Sequence, residues 1–206
     1  MKRKLFFCLF VVFFYSFSCY GQEAKLQRQR ELKKQALTMI QNEYVKDKQD
    51  VAVICALKAI DIALDKEMDE CTQRIMLYEK LYQEYNDSAT NVNDFANKIL
   101  ANNIMQKNLG VTLNSVNDVK CLFSKGKIDP FRRACLCLAI IKASKNAQET
   151  LKADMQRKLS LIEVRLKRGE RVKWIELQTI FVEAGYTPQQ ADKMMEEAGF
   201  YKFNFD

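Results

Sequence analysis

Residues Gln49–Tyr85 read QDVAVICALKAIDIALDKEMDECTQRIMLYEKLYQEY, without a glycine or a proline. Val53, Leu57, Ile60, Leu64, Met68, Cys71, Ile75, Tyr78, Tyr82 and Tyr85 recur at steps of three and four, which puts them on one face of an α-helix. The step from Leu64 to Met68 follows another step of four. Such a stutter relaxes a heptad toward an eleven-residue period, so the helix is expected to straighten or break there. Uninterrupted, it would span roughly 55 Å at 1.5 Å per residue. A helix of that kind takes its stability from packing and suits the spine of a bundle. Its front half, Val51 to Leu64, is apolar nearly all round and predicts burial on several sides.

On the N-terminal side of this spine, Glu23 to about Lys46 reads as a charged helix with Leu26, Leu37, Ile40 and Tyr44 on one side. Gln22 to Arg30 is polar enough to fray or to act as a stalk, with docking expected from Leu37. The joint Lys46–Asp50 is polar. On the C-terminal side, Asn86-Asp87-Ser88 ends the spine, and Asn91 with Asp94 predicts the cap of one helix running to Gly110. Ser115 with Asp118 opens a short helix that stops at Gly126. Asp129-Pro130 predicts an aspartate cap with proline at the first helical position. From there the pattern is helical to about Arg168, either continuous or restarted at Asn146 and Glu149.

The last part reads as a helical hairpin. Trp174, Leu177 and Phe181 face inward, Gly185-Tyr186 closes the first helix, and Thr187-Pro188-Gln189-Gln190 opens the second with a capping box. Glu183-Ala184-Gly185-Tyr186 is echoed by Glu197-Ala198-Gly199-Phe200. Each is read as a glycine stop whose aromatic folds back, on Phe181 and on Met195 respectively. Tyr201, Phe203 and Phe205 alternate in a short tail. With no run of alternating Val, Ile and Thr, the fold class is all-α: a helical bundle built on long antiparallel helices with a small C-terminal hairpin. The boundaries are a targeting segment at 1–21, a bundle at 22–168, and the hairpin with its aromatic tail packed on the bundle at 169–206.

Lys2, Arg3 and Lys4 followed by the apolar run Leu5–Phe17 and the small residues Ser18 and Gly21 have the form of a signal peptide. Cleavage after Gly21 leaves a periplasmic or secreted chain starting at Gln22; the alternative is a lipoprotein anchored at Cys19. The junction looks bacterial, and Asn86-Asp87-Ser88 is a glycosylation sequon only in a eukaryotic route. Loss of Lys2, Arg3 and Lys4 takes the net charge from +7 to +4. Export removes nucleic acid from the expected partners. Five cysteines remain, Cys55, Cys71, Cys121, Cys135 and Cys137, so at least one thiol is free. They are read as buried thiols, with one disulfide, Cys71 to Cys121 or Cys137, as the alternative.

Histidine is absent, which removes the commonest general base and the His-based metal sites. No phosphate-binding glycine loop, nucleophile elbow or C-x-x-C is present. No catalytic, cofactor-binding or metal-ligating residue is assigned, and the chain is not read as an enzyme. Asp61, Asp65 and Asp69, with Glu67 and Glu70, read as a solvated face interspersed with Lys58, Lys66 and Arg74. Two groups remain as candidate partner-binding residues: Tyr78, Tyr82 and Tyr85 on the spine, and the basic turn Arg165, Lys167, Arg168, Arg171 and Lys173. The tyrosines also suit core packing, and the cations also suit a helix C-terminus. The expected function is an adaptor that binds another envelope protein or itself, with peripheral membrane contact through the basic turn or a lipidated Cys19. The alternative is a carrier of a small ligand or lipid.

Overall fold

The spine forms without interruption as α2, Val51–Asp87, in a computed structural model of the chain. Backbone is described for residues 2–45, 49–87 and 91–201, and side chains within these ranges from Gln22 onward, Tyr44 excepted. The other helices are α1 (Lys2–Tyr44), α3 (Val92–Leu100), α4 (Asn103–Leu109), α5 (Val116–Leu122), α6 (Ile128–Lys167), α7 (Trp174–Glu183) and α8 (Pro188–Glu197). The described residues contain no strand, and the fold is an all-α bundle on long helices. Lys46 to Lys48 of the joint, Ser88 of the sequon, and Phe203 and Phe205 of the tail lie outside the described residues.

The chain divides into two compact units, residues 1–36 with 68–138, and residues 37–67 with 139–206. In the first, α1 reaches α2 earlier than its polarity predicts. Lys25 pairs with Asp69 at 2.6 Å and Arg28 with Glu79 at 2.8 Å, while Leu32 and Ala36 are buried and Leu26 is exposed. The stalk expected over Gln22–Arg30 is therefore corrected: its cations fasten onto carboxylates of α2 where its apolar content could not. Glu79 also accepts from Arg132 of α6 at 2.7 Å, so one carboxylate ties three helices.

The short helices α3, α4 and α5 fold over the back half of α2. Phe95, Ala96, Ile99, Leu109, Val119 and Phe123 pack with Tyr78 and Leu81 into one core. The single helix predicted from Asn91 to Gly110 is two. Asn91 caps α3 as expected, but the Asn102 side chain accepts from Met105 N at 2.9 Å and starts α4. The buried Gln106 holds the break, donating to the Leu100 carbonyl at 3.2 Å and accepting from Leu113 N at 2.9 Å. Helix α6 also starts earlier than predicted. Phe131 N donates to the Lys127 carbonyl at 3.0 Å, which places Asp129 within the first turn as a dipole-complementing carboxylate and not as the cap.

In the second unit, Ala139, Ala143 and Ala147 form a buried stripe of small residues on α6, a step-of-four ridge that permits close helix approach. Glu67 of α2 takes Lys142 at 3.8 Å and Asn146 at 3.3 Å on this helix. Asn146 thus binds across helices, and α6 continues through it. Farther on, Ile162, Val172, Trp174, Leu177, Ile180, Phe181, Ala191 and Met195 form the core of the hairpin. Asp192 secures it, accepting from Trp174 Nε1 at 2.9 Å and Gln178 Nε2 at 2.8 Å.

Candidate functional site

The front half of α2 departs from its expected burial. Val51 is 51%, Ile54 48% and Ile62 62% exposed, and the apolar residues between them are only half-buried. Val51, Ile54, Lys58 and Ile62 are spaced by three, four and four, so they share one helix face. Lys58 is exposed as well, and its methylene stem can extend the apolar stripe between the two isoleucines. On α6 of the same unit, Ile141 is also exposed, as are Leu161 and Val164.

Of the two readings open for Tyr78, core packing is the one the structure shows. The residue is 1% exposed, its hydroxyl donates to the Leu122 carbonyl at 2.7 Å, and its ring stacks on Phe131 at 4.0 Å and Phe123 at 5.2 Å. Burial, with Tyr82 adding to it, pushes its phenol up to about 12. Tyr82 and Tyr85 are half-buried against the same core, Tyr85 meeting Phe95 at 5.5 Å and Phe123 at 6.0 Å. The apolar faces of α3, α4 and α5 need this side of α2 for their own burial.

Much of the basic turn is used locally. Arg165 binds Glu176 at 2.8 Å and Glu170 at 3.2 Å, and hydrogen bonds to these carboxylates raise its pKa further. Lys167 binds Glu163 at 2.6 Å. The Lys173 backbone N–H donates to Glu176 at 3.2 Å at the start of α7. Hydrogen bonds from these cations hold Glu163 and Glu176 below the usual carboxylate range. Arg168 and Arg171 are exposed.

The five cysteines are free thiols. Cys71 and Cys135 are buried, and Cys71 forms no bridge with Cys121, which is exposed, or with Cys137, which is half-buried. Burial pushes the Cys71 thiol up to about 12 and Cys135 up to about 11. Among the described residues no group of three or more carboxylates and thiols is placed to hold a metal ion. Of the acidic residues on the spine, Glu67, Asp69 and Glu70 are each engaged in ion pairs.

Each unit carries a concavity among its described residues. The first, of about 420 Å³, is polar and lined by Glu70, Gln73, Arg74, Leu77, Lys107 and Asn108. The second, of about 340 Å³, is an apolar groove whose walls include Leu159, Ile162, Leu166, Phe181, Met195 and Phe200. The second is also lined by Ser160 and Glu163, whose polar groups are engaged elsewhere: the Ser160 hydroxyl donates to the Gln156 carbonyl at 3.0 Å and Glu163 binds Lys167 at 2.6 Å. The chain matches no protein-family model, no curated protein and no solved structure.

Proposed function

We propose that this chain is an exported, non-enzymatic interaction protein of the bacterial cell envelope, docking on another envelope protein through the front half of α2. The observation that carries the reading is the exposure of Ile54 and Ile62 on a helix whose sequence is apolar nearly all round. An apolar stripe on a long helix gains free energy when a partner covers it. The missing histidines and the engaged carboxylates of the spine add to this by leaving no arranged acid–base pair. Export rests on the basic, apolar and small-residue order of Met1–Gly21. N-terminal sequencing of the mature protein is expected to begin at Gln22, and a lipidated Cys19 would instead place the same protein on a membrane.

Substitution of Ile54 and Ile62 by Glu is the direct test. Both side chains are solvent-facing, so stability should change by no more than about 0.5 kcal/mol each, while complex formation is lost. A variant that keeps its partner overturns the reading. The carrier alternative has one observation in its favour, the apolar groove of about 340 Å³, within the usual size range of ligand pockets. Native mass spectrometry of protein from its own host should then show an adduct.

A further inference from the structure

The polar concavity of the first unit is built from one face of α2 and the last turn of α4. Glu70, Gln73, Arg74 and Leu77 share that face of α2, and Lys107 and Asn108 of α4 complete the lining. Arg74 is set deeply, with 17% of its side chain exposed, whereas Lys107 and Asn108 are exposed. Its guanidinium lies against Gly110, where a β-carbon would stand 2.5 Å from Cζ and 2.7 Å from Nη1. Only a glycine leaves room for it there. The guanidinium is not the cap of α4, because the last carbonyls of that helix, Gln106 and Lys107, accept from the backbone N–H groups of Val111 and Gly110 at 3.1 and 3.0 Å.

The donors of this concavity exceed its acceptors. Arg74 gives Nη2 to Glu70 at 2.6 Å, but its Nε–H is buried without an acceptor. A buried N–H left unpaired destabilises the folded chain, and here it leaves the guanidinium charge only partly compensated. Among the described residues, the Lys107 ammonium makes no ion pair and the Asn108 amide no hydrogen bond. Gln73 is turned to Asp69 at 2.7 Å. Two cations face a single lining carboxylate, Glu70, so the concavity attracts anions.

The arrangement also selects among anions. A carboxylate is held best by two parallel N–H groups of one guanidinium, and Glu70 already occupies Nη2. The remaining donors come singly from two helices, which suits a tetrahedral oxyanion with oxygens on several sides. A volume of about 420 Å³ has room for an organic group besides the anion. We propose that this concavity binds the phosphate group of a monoester, with Arg74, Lys107 and Asn108 as donors and Leu77 against the organic part. This goes beyond the α2 surface proposed above and is independent of it.

The test is isothermal titration calorimetry of the full-length chain with glycerol 3-phosphate at low salt, comparing wild type with Lys107→Ala, Arg74→Gln and Lys125→Ala. Lys125 is exposed and outside the lining, so it controls for general charge. Saturable one-site binding is expected, weakened about tenfold or more by Lys107→Ala and by Arg74→Gln and unchanged by Lys125→Ala. Acetate at equal concentration should not displace the ester. A wild type that does not bind, an undiminished affinity in Lys107→Ala, an equal loss in Lys125→Ala, or displacement by acetate overturns the proposal. Circular dichroism shows whether Arg74→Gln folds; if it does not, the exposed position Lys107→Ala decides alone. Once binding is measured, vesicles carrying phosphatidic acid distinguish the source of the phosphate. Cosedimentation that glycerol 3-phosphate competes away makes it a lipid headgroup, and no cosedimentation makes it a soluble ester.

Discussion

Thr72 shows how the core can be improved one atom at a time. It is fully buried, and its hydroxyl oxygen has no hydrogen-bond partner. An unpaired buried hydroxyl costs about 1–3 kcal/mol by mutational measure. Thr72→Val keeps the shape and removes that group, so urea denaturation should show a gain of about 1 kcal/mol or more. A loss would mean that the hydroxyl is paired in solution. Cys71, Cys135 and Tyr78 predict the pH response. Their folded-state pKa values lie near 12, 11 and 12, raised from ordinary values of 9.0, 9.0 and 10.0 chiefly by burial. The folded chain holds these protons to a higher pH than the unfolded chain does. Their favourable contribution is therefore complete below about pH 9 and falls as pH rises toward 12. Denaturant midpoints should be flat from about pH 7 to 8.5 and decline above about 9. The burial of Cys71, Ile75 and Tyr78 was legible from their spacing alone. That of Thr72 was not, because a threonine beside an apolar face looks the same in sequence whether it faces water or a neighbouring helix.

Helix ends were more legible than helix interiors, because a cap is a local chemical event and a break depends on what packs nearby. Ser115 with Asp118 and Thr187 with Gln190 form the capping boxes their spacing implies. Phe181 and Tyr186 meet at 6.2 Å, as the first glycine stop predicts. The Leu64–Met68 stutter does not break α2, since both residues are buried and packed. Conversely, nothing in the spacing of Ile99 and Ile104 announced the division between α3 and α4. Asn102 caps without an acidic residue three positions on, and the polar Gln106 turns inward to hold the joint. Gly110 ends α4 at φ 70°, and a β-carbon there would stand 2.5 Å from the Arg74 guanidinium carbon. Gly110→Ala must therefore adopt an unfavourable backbone and displace a side chain that binds Glu70 at 2.6 Å. A loss of about 1–2 kcal/mol is expected, measurable as a lower denaturant midpoint; an unchanged midpoint would mean that Arg74 swings away freely.

Over the full chain, the all-α class was legible because length, periodicity and glycine placement agree along most of the sequence. The candidate surface was only partly so. Aromatic residues on the spine drew attention to Tyr78, Tyr82 and Tyr85, yet α3, α4 and α5 cover that end. The front half, whose uniform apolarity implied the deepest burial, is the part that stays open at Val51, Ile54 and Ile62. Periodicity says that a helix face is apolar; it does not say whether the chain has enough other surface to cover it. In the function proposed above, a partner supplies that cover. Mild cross-linking in the native envelope, followed by affinity purification and quantitative mass spectrometry, should compare the wild-type chain with an Ile54→Glu/Ile62→Glu variant. One recurrent stoichiometric envelope partner is expected with the wild type and none with the variant. A wild-type chain recovered alone, or a partner retained equally by the folded variant, would mean that the open face of α2 is not where this protein docks.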